Sequence, residues 1–560
     1  MKNNKYTVTA ALPYANGPIH IGHLSGVYLP ADIFVRYLRR KNQEIQVLFI
    51  CGSDEHGVPI TIKAKKENKT PQEIVNKYHF LIKDCFTNFG IHFDHYSRTS
   101  TLIHKKISTS FFKKLYKEKK IFEKVSKQYY DQEYKQFLSD RYISGICPNC
   151  KNKEAYGDQC ENCGSSLSPE DLIQPRSTIS GSIPILKKTK HWYLPLNEYQ
   201  NFLEKWILTD HKKDWKVNVY GQAKSWLKKG LKPRAITRDL NWGVPIPEEI
   251  GKVLYVWFEA PIGYISSTIE WAKRKKKDWK PYWKNKKTKL IQFIGKDNIV
   301  FHCIIFPVIL KASNMGYILP DKVLANEFLN LENDKISTSK NWGVWIHEYL
   351  EDFPNQQDTL RFILISNMPE KKDNNFHWKD FQRKNNTELV AILGNFVNRS
   401  ITLIKKYHNG IIPNPGIFSM REREILKNLK KYPKNIGKLI ESFRFREALG
   451  CFMDLARIGN KYLTSEEPWK MNYKEKRLDT ILYVSLQIVG MLAQLSEPFL
   501  PHTAKKLLKM LRLKTFFWNQ IKEEILSPGH VLGKSILLFQ KITNVSVEKQ
   551  LKKLEKIKKH

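Results

Sequence analysis

TVTAALPYANGPIHIGHLSGVYLPADIFVRYLRR, residues 7–40, changes its hydrophobic period from that of a buried strand to that of a helix across one tight turn. Thr7 to Leu12 are β-branched or apolar without interruption, the pattern of a strand covered on both faces. Pro13, Asn16, Gly17 and Pro18 then supply turn chemistry. His20-Ile21-Gly22-His23 opens a helix whose apolar face uses Leu24, Val27, Ile33 and Tyr37. A strand, a turn and a helix N-terminus in this order aim backbone N–H groups and the positive end of a helix dipole at one place, a ready anion site. His20 and His23 add donors suited to phosphate oxygens, and Gly22 lets a ligand approach the backbone. On the local pattern alone, two histidines at a helix start are equally at home as caps or surface residues.

Outward from this stretch, 560 residues are enough for roughly three or four domains, each with its own core. With 27% charged and 41% hydrophobic residues the composition is globular and excludes wholesale disorder. No apolar run reaches the roughly 18 residues a membrane span needs. The nearest, Ile481 to Leu495, is broken by Ser485, Gln487, Gly490 and Gln494 and reads as a buried helix. The N-terminus runs directly into a strand with no signal-peptide core, so a cytoplasmic location is expected. The net charge of +39, from 94 Lys+Arg against 55 Asp+Glu, favours a polyanionic partner such as nucleic acid. Lysine is abundant throughout the chain, however, so charge alone does not decide this.

Ile45 to Cys51 form a second apolar strand, followed by Gly52-Ser53-Asp54-Glu55-His56-Gly57. Acidic residues at the carboxyl end of a parallel strand stand where open α/β sheets bind ligands. Asp54 there suits an ammonium group, or else caps the next helix. From about residue 119 the alternation breaks. Cys147, Cys150, Cys160 and Cys163 have the spacing C-x2-C-x9-C-x2-C, with Gly157 and Gly164 at turns. Each pair is a knuckle presenting two thiolates, and four thiolates make a closed tetrahedral zinc shell with no place for water, hence a structural one. Cys51, Cys85, Cys303 and Cys451 are isolated and read as ordinary buried thiols. The basic, aromatic stretch between Ala272 and Lys289 reads as a solvated loop rather than a nucleic-acid patch. Leu290 to Ile294 is a further strand, ending in Gly295-Lys296-Asp297, a combination suited to a ribose and phosphates. Asn333 to Trp342 (NDKISTSKNW) is a polar loop with Lys335, Ser337, Ser339 and Lys340, able to close over polyphosphate. From about 385 onward the spacing is helical. The segment 547–557 carries Val547, Leu551, Leu554 and Ile557 on one face, a helix expected to pack back onto the bundle.

Individually these motifs are weak. Together ALPYANGPIHIGH, WGVPIP, YVWFEAPIGY, FIGKDN and DKISTSKNW, in this order around a four-cysteine insert, resemble the bacterial-type methionyl-tRNA synthetases, a class I aminoacyl-tRNA synthetase family. The resemblance spans essentially the whole chain. It implies an α/β fold: a Rossmann-type parallel-sheet catalytic core split by a zinc-bearing connective insertion, followed by an α-helical bundle. The expected segments are the first catalytic half over 1–118, the insertion over 119–236 and the second half over 237–325. A stem-contact region over 326–384, an anticodon-binding bundle over 385–545 and a basic C-terminal helix over 546–560 follow. The implied activity is formation of methionyl-adenylate from L-methionine and ATP, with Mg²⁺ accompanying the ATP, then transfer to the terminal adenosine of initiator and elongator methionine tRNA.

By the same resemblance, His20 and His23 stabilise the transferring phosphates, Gly22 and Thr338 lie in the ATP motifs, and Lys335 closes on pyrophosphate. Gly295 and Asp297 hold the adenosine ribose with Lys296 nearby. Asp54, paired with Arg238, takes the substrate ammonium. Ala11, Leu12, Tyr14, Trp257, Ala260, Pro261, Tyr264 and His302 form the methionine pocket, an apolar and aromatic slot of the kind a thioether wants. Asn395, Arg399 and Trp469 read the anticodon. Two departures stand out. Thr338 replaces a lysine that the family's loop usually carries, and Lys340 is expected to substitute for it. Longer family members append a C-terminal tRNA-binding domain that dimerises them, and with His560 soon after the last helix a monomer is expected. The class I enzymes for leucine, isoleucine and valine carry a large editing domain that an insert of about 120 residues cannot hold. The cysteine enzyme needs an open zinc position. A tRNA-binding protein that has lost catalysis is the remaining alternative.

Overall fold

The computed structural model describes residues 4–558 apart from 139, 164, 166, 339, 473 and 474, so Gly164 and Ser339 lie outside the described residues. The chain divides into two compact units. The first comprises Met1–Pro18, Leu48–Asp84 and Phe93–Ala325, the second Ile19–Val47, Cys85–His92 and Asn326–His560. The sequence segments expected above do not coincide with this division: the connective insertion clusters with the sheet, and the segment bearing His20 and His23 clusters with the C-terminal part.

The main strands of the first unit are β1 (Lys5–Ala10), β2 (Gln46–Ser53), β3 (His95–Arg98), β4 (Phe122–Asp131), β5 (Ile143–Ile146), β6 (Ala155–Tyr156), β7 (Ile173–Ser177), β8 (Ile185–Leu194), β9 (Lys289–Gly295) and β10 (Lys322–Asn326). Five of them form a sheet in the order β10-β9-β1-β2-β3. β1 pairs with β9 in parallel from Tyr6↔Lys289 to Ala10↔Phe293, and β2 with β3 in parallel from Ile50↔His95 to Ser53↔Arg98. Sheets buried on both faces have continuous apolar strands, and Leu48, Phe49, Ile50, Cys51, Ile291, Phe293 and Ile294 are accordingly buried. From β1 the chain proceeds to β2 and β3 on one side, while β9 and β10 lie on the other. The carboxyl ends of β1 and β9 therefore flank a topological switch point, where open α/β sheets bind ligands. Helices α2 (Leu102–Lys117) and α3 (Ile262–Lys275) pack against each other in this unit.

The insertion between β3 and β9 is built from antiparallel pairs. β4 pairs with β8 from Phe122↔Tyr193 to Tyr130↔Ile185, and β5 lies between β6 and β7. A small core of Leu138, Tyr142, Ile143, Ala155, Leu167 and Leu172 includes Cys147 and Cys160. The basic stretch after α3 is more integrated than a solvated loop. Trp283 is fully buried and donates its indole N–H to Thr268 Oγ1 at 2.8 Å. Large apolar rings gain more from burial than from display, roughly 1.5–3 kcal/mol each.

In the second unit, residues Ile21–Lys41 are helical, with a π-type turn over Leu24–Tyr28 leading into α1 (Leu29–Lys41). Asp32 on α1 is held between Arg36 (2.8 Å) and the fully buried Arg361 (2.7 Å). Burial alone would raise its carboxyl, but the two guanidiniums hold it below the usual carboxylate range. The helices α4 (Asn395–His408), α5 (Phe445–Glu466) and α6 (Lys476–Leu495) pack on one another. Among the described residues α6 alone is long and apolar enough to cross a membrane, and 94% of its apolar window is buried. It is the bundle's central helix. The last helix, α7 (Asn544–Lys558), buries Val547 and Leu554. It docks on the helix Trp378–Lys384 rather than on the bundle, and Lys549 (2.8 Å) and Lys553 (2.5 Å) reach Asp352. Periodicity located this helix and its apolar face. The acidic partner that its lysines seek lies two hundred residues away in sequence and gave no local signal.

Candidate active site

His20 is the N-cap of the helix it opens. Its Nδ1 accepts from the backbone N–H groups of Gly22 (3.1 Å) and His23 (3.3 Å), while His23 Nδ1 accepts from the His20 N–H (3.2 Å). This is a capping box made from two imidazoles, stacked at 3.7 Å between centroids. A β-carbon on Gly22 would come within 3.0 Å of the His20 ring, so the glycine serves the stack itself. Capping and anion binding are not alternatives here. Because both Nδ1 atoms accept, each neutral ring carries its proton on Nε2, which is left as a donor. Burial holds the His23 imidazole down at about 4, and burial together with His23 lowers His20 well below its ordinary value. Both rings are thus neutral N–H donors at neutral pH.

At the carboxyl ends of the first unit's strands, Ala11 donates to Phe293 O at 2.8 Å, and Ala11, Pro261, Tyr264 and His302 are buried. Leu12 meets the position of a β-carbon on Gly263 at 3.0 Å. The indole of Trp257 lies 3.9 Å from the Phe301 ring and 4.9 Å from the Arg234 guanidinium, and Ala260 is the C-cap of the short helix Val256–Glu259 that carries it. Phe301 and Arg234 escaped the sequence reading because neither belongs to a quoted motif. His302 donates from Nδ1 to Asn298 O (2.9 Å), which leaves its Nε2 to accept from the Tyr264 hydroxyl (2.9 Å). Burial holds this imidazole down at about 4. Tyr14 donates to His56 O. Gly57, at φ +102°, would place a β-carbon 2.7 Å from that hydroxyl, so only glycine fits.

Asp54 N donates to Pro13 O (2.9 Å) and Asp54 O accepts from Ala15 N (2.8 Å), which ties the ends of β1 and β2 together. The N-cap of the next helix is Gly57, so Asp54 is not a cap. Its Oδ1 is enclosed and makes no hydrogen bond. Burial first, then the charges of Glu259 and Glu55, push its carboxyl well above the ordinary value. Such a group is primed for a cation. Arg238 does not bridge to Asp54 Oδ1. It lies 3.5 Å over the Tyr255 ring, donates to Thr237 O (2.9 Å), and lines a cavity of about 170 Å³ with Arg234 and insertion residues Asp158 and Glu170. Gly295, at the end of β9, is the N-cap of the short turn Lys296–Asn298, in which Asp297 is exposed.

In the second unit, Lys335 is exposed, with its ammonium 5.2 Å from the Phe328 ring. The loop after it is closed by a pair of backbone bonds between Ser337 and Trp342, both 2.9 Å. Thr338 and Lys340 are exposed on it. In the bundle, Arg399 donates to Thr464 Oγ1 (3.1 Å) and stacks 4.6 Å from Trp469, which is 40% exposed; Asn395, one turn before Arg399 on the same helix, is also exposed. Arg457, Asn460, Lys461 and Thr464 line a groove of about 370 Å³ next to them. These four, spread over two turns of one helix, carry no motif and were not foreseen.

The four cysteine sulfurs of the insertion lie within 4.8 Å of one another, with Cys147···Cys163 at 3.9 Å and Cys150···Cys160 at 3.6 Å. Tetrahedral zinc with Zn–S near 2.3 Å needs S···S separations of about 3.8 Å, so the donor set fits. Hydrogen bonds from the Asn162 side chain and the Asn152 backbone pull the Cys150 thiol down to about 6, whereas burial pushes the Cys160 thiol up to about 11.

A parallel sheet with ligand-facing carboxyl ends, a zinc-type insertion and a separate helical region form the class I tRNA synthetase architecture. A family model described as "tRNA synthetases class I (M)" matches residues 6–401, and one described as "Anticodon binding domain of methionyl tRNA ligase" matches 412–559. The methionine–tRNA ligase of Christiangramia forsetii is 60% identical over 99% of this chain and 81% of its own length; that of Bacteroides fragilis strain YCH46 is 58% identical over the same shares. The Mycobacterium tuberculosis methionyl-tRNA synthetase, solved in complex with methionyl-adenylate, superposes with a TM-score of 0.79 at 22% identity over 96% of this chain and 100% of that one. The chain belongs to the methionyl-tRNA synthetases.

Proposed function

We propose that this protein activates L-methionine with ATP, releasing pyrophosphate, and esterifies methionyl-adenylate onto the terminal adenosine of initiator and elongator methionine tRNA. The observation that carries this is 60% identity to a curated methionine–tRNA ligase across 99% of the chain. The methionine carboxylate attacks the α-phosphate in line, and a terminal ribose hydroxyl of the tRNA then takes the acyl group. Neither step needs a covalent enzyme intermediate, so catalysis is positioning and stabilisation of phosphate charge. His20 and His23 donate from Nε2 to phosphate oxygens, and Lys335 and Lys340 approach the pyrophosphate. Gly295, Lys296 and Asp297 hold the ribose. The pocket of Ala11, Leu12, Tyr14, Trp257, Ala260, Pro261, Tyr264 and His302 encloses the thioether, and Asp54, with Arg238 nearby, takes the ammonium. Cys147, Cys150, Cys160 and Cys163 hold one structural Zn²⁺, while Mg²⁺ accompanies ATP. Asn395, Arg399 and Trp469 contact the anticodon. The working location is the cytoplasm and the working state a monomer, which light scattering at micromolar concentration tests.

The second reading is a tRNA-binding protein without catalysis, and Thr338 is the observation that favours it. Methionine-dependent exchange of labelled pyrophosphate into ATP, without tRNA, separates the two. Exchange with methionine and little with leucine or cysteine supports the synthetase. Absence of exchange from folded, zinc-loaded protein supports the binding protein.

A further inference from the structure

The histidine cap and the lysine loop of the second unit rest on one another through Trp345. The Ile21 N–H donates to Val344 O (3.1 Å) and the Ile346 N–H to Ile19 O (3.0 Å), an antiparallel bridge in which His20 stands directly opposite Trp345. Directly opposed residues of an antiparallel pair share a face, so their side chains meet. Trp345 is buried, and its indole lies 5.7 Å from the His20 imidazole between centroids, with the planes at 60°. That is the edge-to-face range of aromatic contact. The His20 ring thus has three restraints. Two backbone N–H groups hold Nδ1, the His23 ring stacks on it at 3.7 Å, and Trp345 bounds it from across the bridge. The cap bonds fix one ring nitrogen as a pivot. The two aromatic neighbours fix the tilt of the ring about that pivot, and hence the direction in which Nε2 points.

The same indole reaches the loop. A β-carbon on Gly343 would lie 3.4 Å from Cζ2 and Cη2 of Trp345 and 3.4 Å from Ile336 Cγ2, and one on Gly22 would lie 3.4 Å from Ile336 Cδ1. Ile336 therefore spans from Gly22 of the cap to Gly343, and the Trp345 ring lies against that second glycine. Ile336 directly follows Lys335, and the Ser337–Trp342 backbone pair closes the segment that bears Thr338 and Lys340. Both ends of the loop are thus seated on the cap by apolar contact. Trp345 itself is anchored on its far side as the N-cap residue of the helix Ile346–Asp352, where its carbonyl accepts from the Tyr349 N–H at 2.9 Å. An indole on so fixed a backbone, with little room to repack, is a rigid reference for both neighbours.

We propose that Trp345 is a positioning residue for phosphate transfer: its ring sets the tilt of the His20 imidazole and seats the lysine loop against it, so that the Nε2 donor and the loop ammonium groups are aimed at one place. Trp345 acts through His20, and the inference therefore rests on the phosphate role proposed above for that ring. Without the indole, Nδ1 still accepts from the Gly22 and His23 N–H groups, so the cap survives. The ring is then free to tilt about it, and the donor is no longer held where the phosphate charge develops. The loss falls on turnover, because a misdirected donor weakens transition-state stabilisation and leaves the methionine pocket in the other unit untouched.

The test is a double-mutant cycle on kcat in methionine-dependent pyrophosphate exchange, with the full-length protein. Trp345→Leu should lower kcat by roughly ten- to a hundred-fold while the KM for methionine stays within about two-fold. Trp345→Phe, which keeps an aromatic edge opposite His20, should recover most of the loss. In a His20→Asn background the donor is already gone, so Trp345→Leu should cost less than about three-fold more. Trp345→Met keeps the bulk without the ring; it should show the same non-additivity and serves if the leucine variant fails to fold. A tryptophan that only fills the core would lower the unfolding temperature and reduce kcat by the same factor with or without His20. That additivity, or an unchanged kcat in Trp345→Leu, overturns the proposal. His20→Asn alone separates the premise: unimpaired exchange in that variant refutes the phosphate role of His20, whereas a large loss combined with additivity refutes only the part assigned to Trp345.

Discussion

Replacing His20 by asparagine separates two roles that the structure combines in one ring. As N-cap, His20 Nδ1 accepts from two backbone N–H groups at 3.1 and 3.3 Å. Asparagine is among the best N-caps, so Oδ1 can take over this duty, and stability should stay within about 0.5 kcal/mol of the parent. Alanine cannot cap and should cost about 1 kcal/mol. The Nε2 donor is lost in both. A pre-aimed donor to developing phosphate charge has the standing of an oxyanion-hole donor, roughly 2.7–4 kcal/mol or a 10²–10³-fold loss in turnover. Pyrophosphate exchange should therefore fall by that factor in both variants, with methionine KM little changed, while thermal unfolding distinguishes them. An asparagine variant active within about three-fold of the parent would refute the reasoning and leave His20 as a cap only. The pH dependence has a definite sign. Both histidines have lowered values in the folded state, His23 at about 4. Below their ordinary value near 6.5 the unfolded chain binds protons that the folded cap refuses, so stability falls as pH drops from about 6.5 toward 4. Above that window these groups contribute no slope, and His20→Asn should make the acid loss shallower.

Lys340→Ala should lower the rate of pyrophosphate exchange far more than it alters methionine affinity, because the exposed loop bears on phosphate charge; an equal rate would leave the Thr338 departure unexplained by Lys340. Cys150→Ser should reduce bound zinc measured by elemental analysis from one per chain to near zero and lower the unfolding temperature, since the metal shell shares its core with Ile143, Ala155 and Leu172; full retention of zinc would exclude the four-thiolate site. Trp469→Ala removes a half-open stacking platform backed by Arg399, and should raise the KM for methionine tRNA by the equivalent of roughly 1–3 kcal/mol while leaving tRNA-independent exchange untouched. Unchanged tRNA kinetics would take Trp469 out of anticodon contact.

What the sequence alone determined is everything written in short-range code. The four-cysteine spacing is legible because two knuckles need only their own turns to converge. The strand before Pro13 and the helix after His20 are legible because hydrophobic period is local. The ordered motif strings sufficed for the family. Tertiary structure decided what depends on partners remote in the chain. His56 and His104 meet the Glu259 carboxylate from 203 and 155 residues away. Phe301 covers Trp257, and the lysines of the last helix find Asp352 rather than the bundle. The same holds for proton positions. His20-Ile21-Gly22-His23 spells two imidazoles at a helix start, but only the folded capping box assigns their protons to Nε2. A tautomer is fixed by what the other ring nitrogen accepts, and that is a property of three-dimensional neighbours, not of residue order.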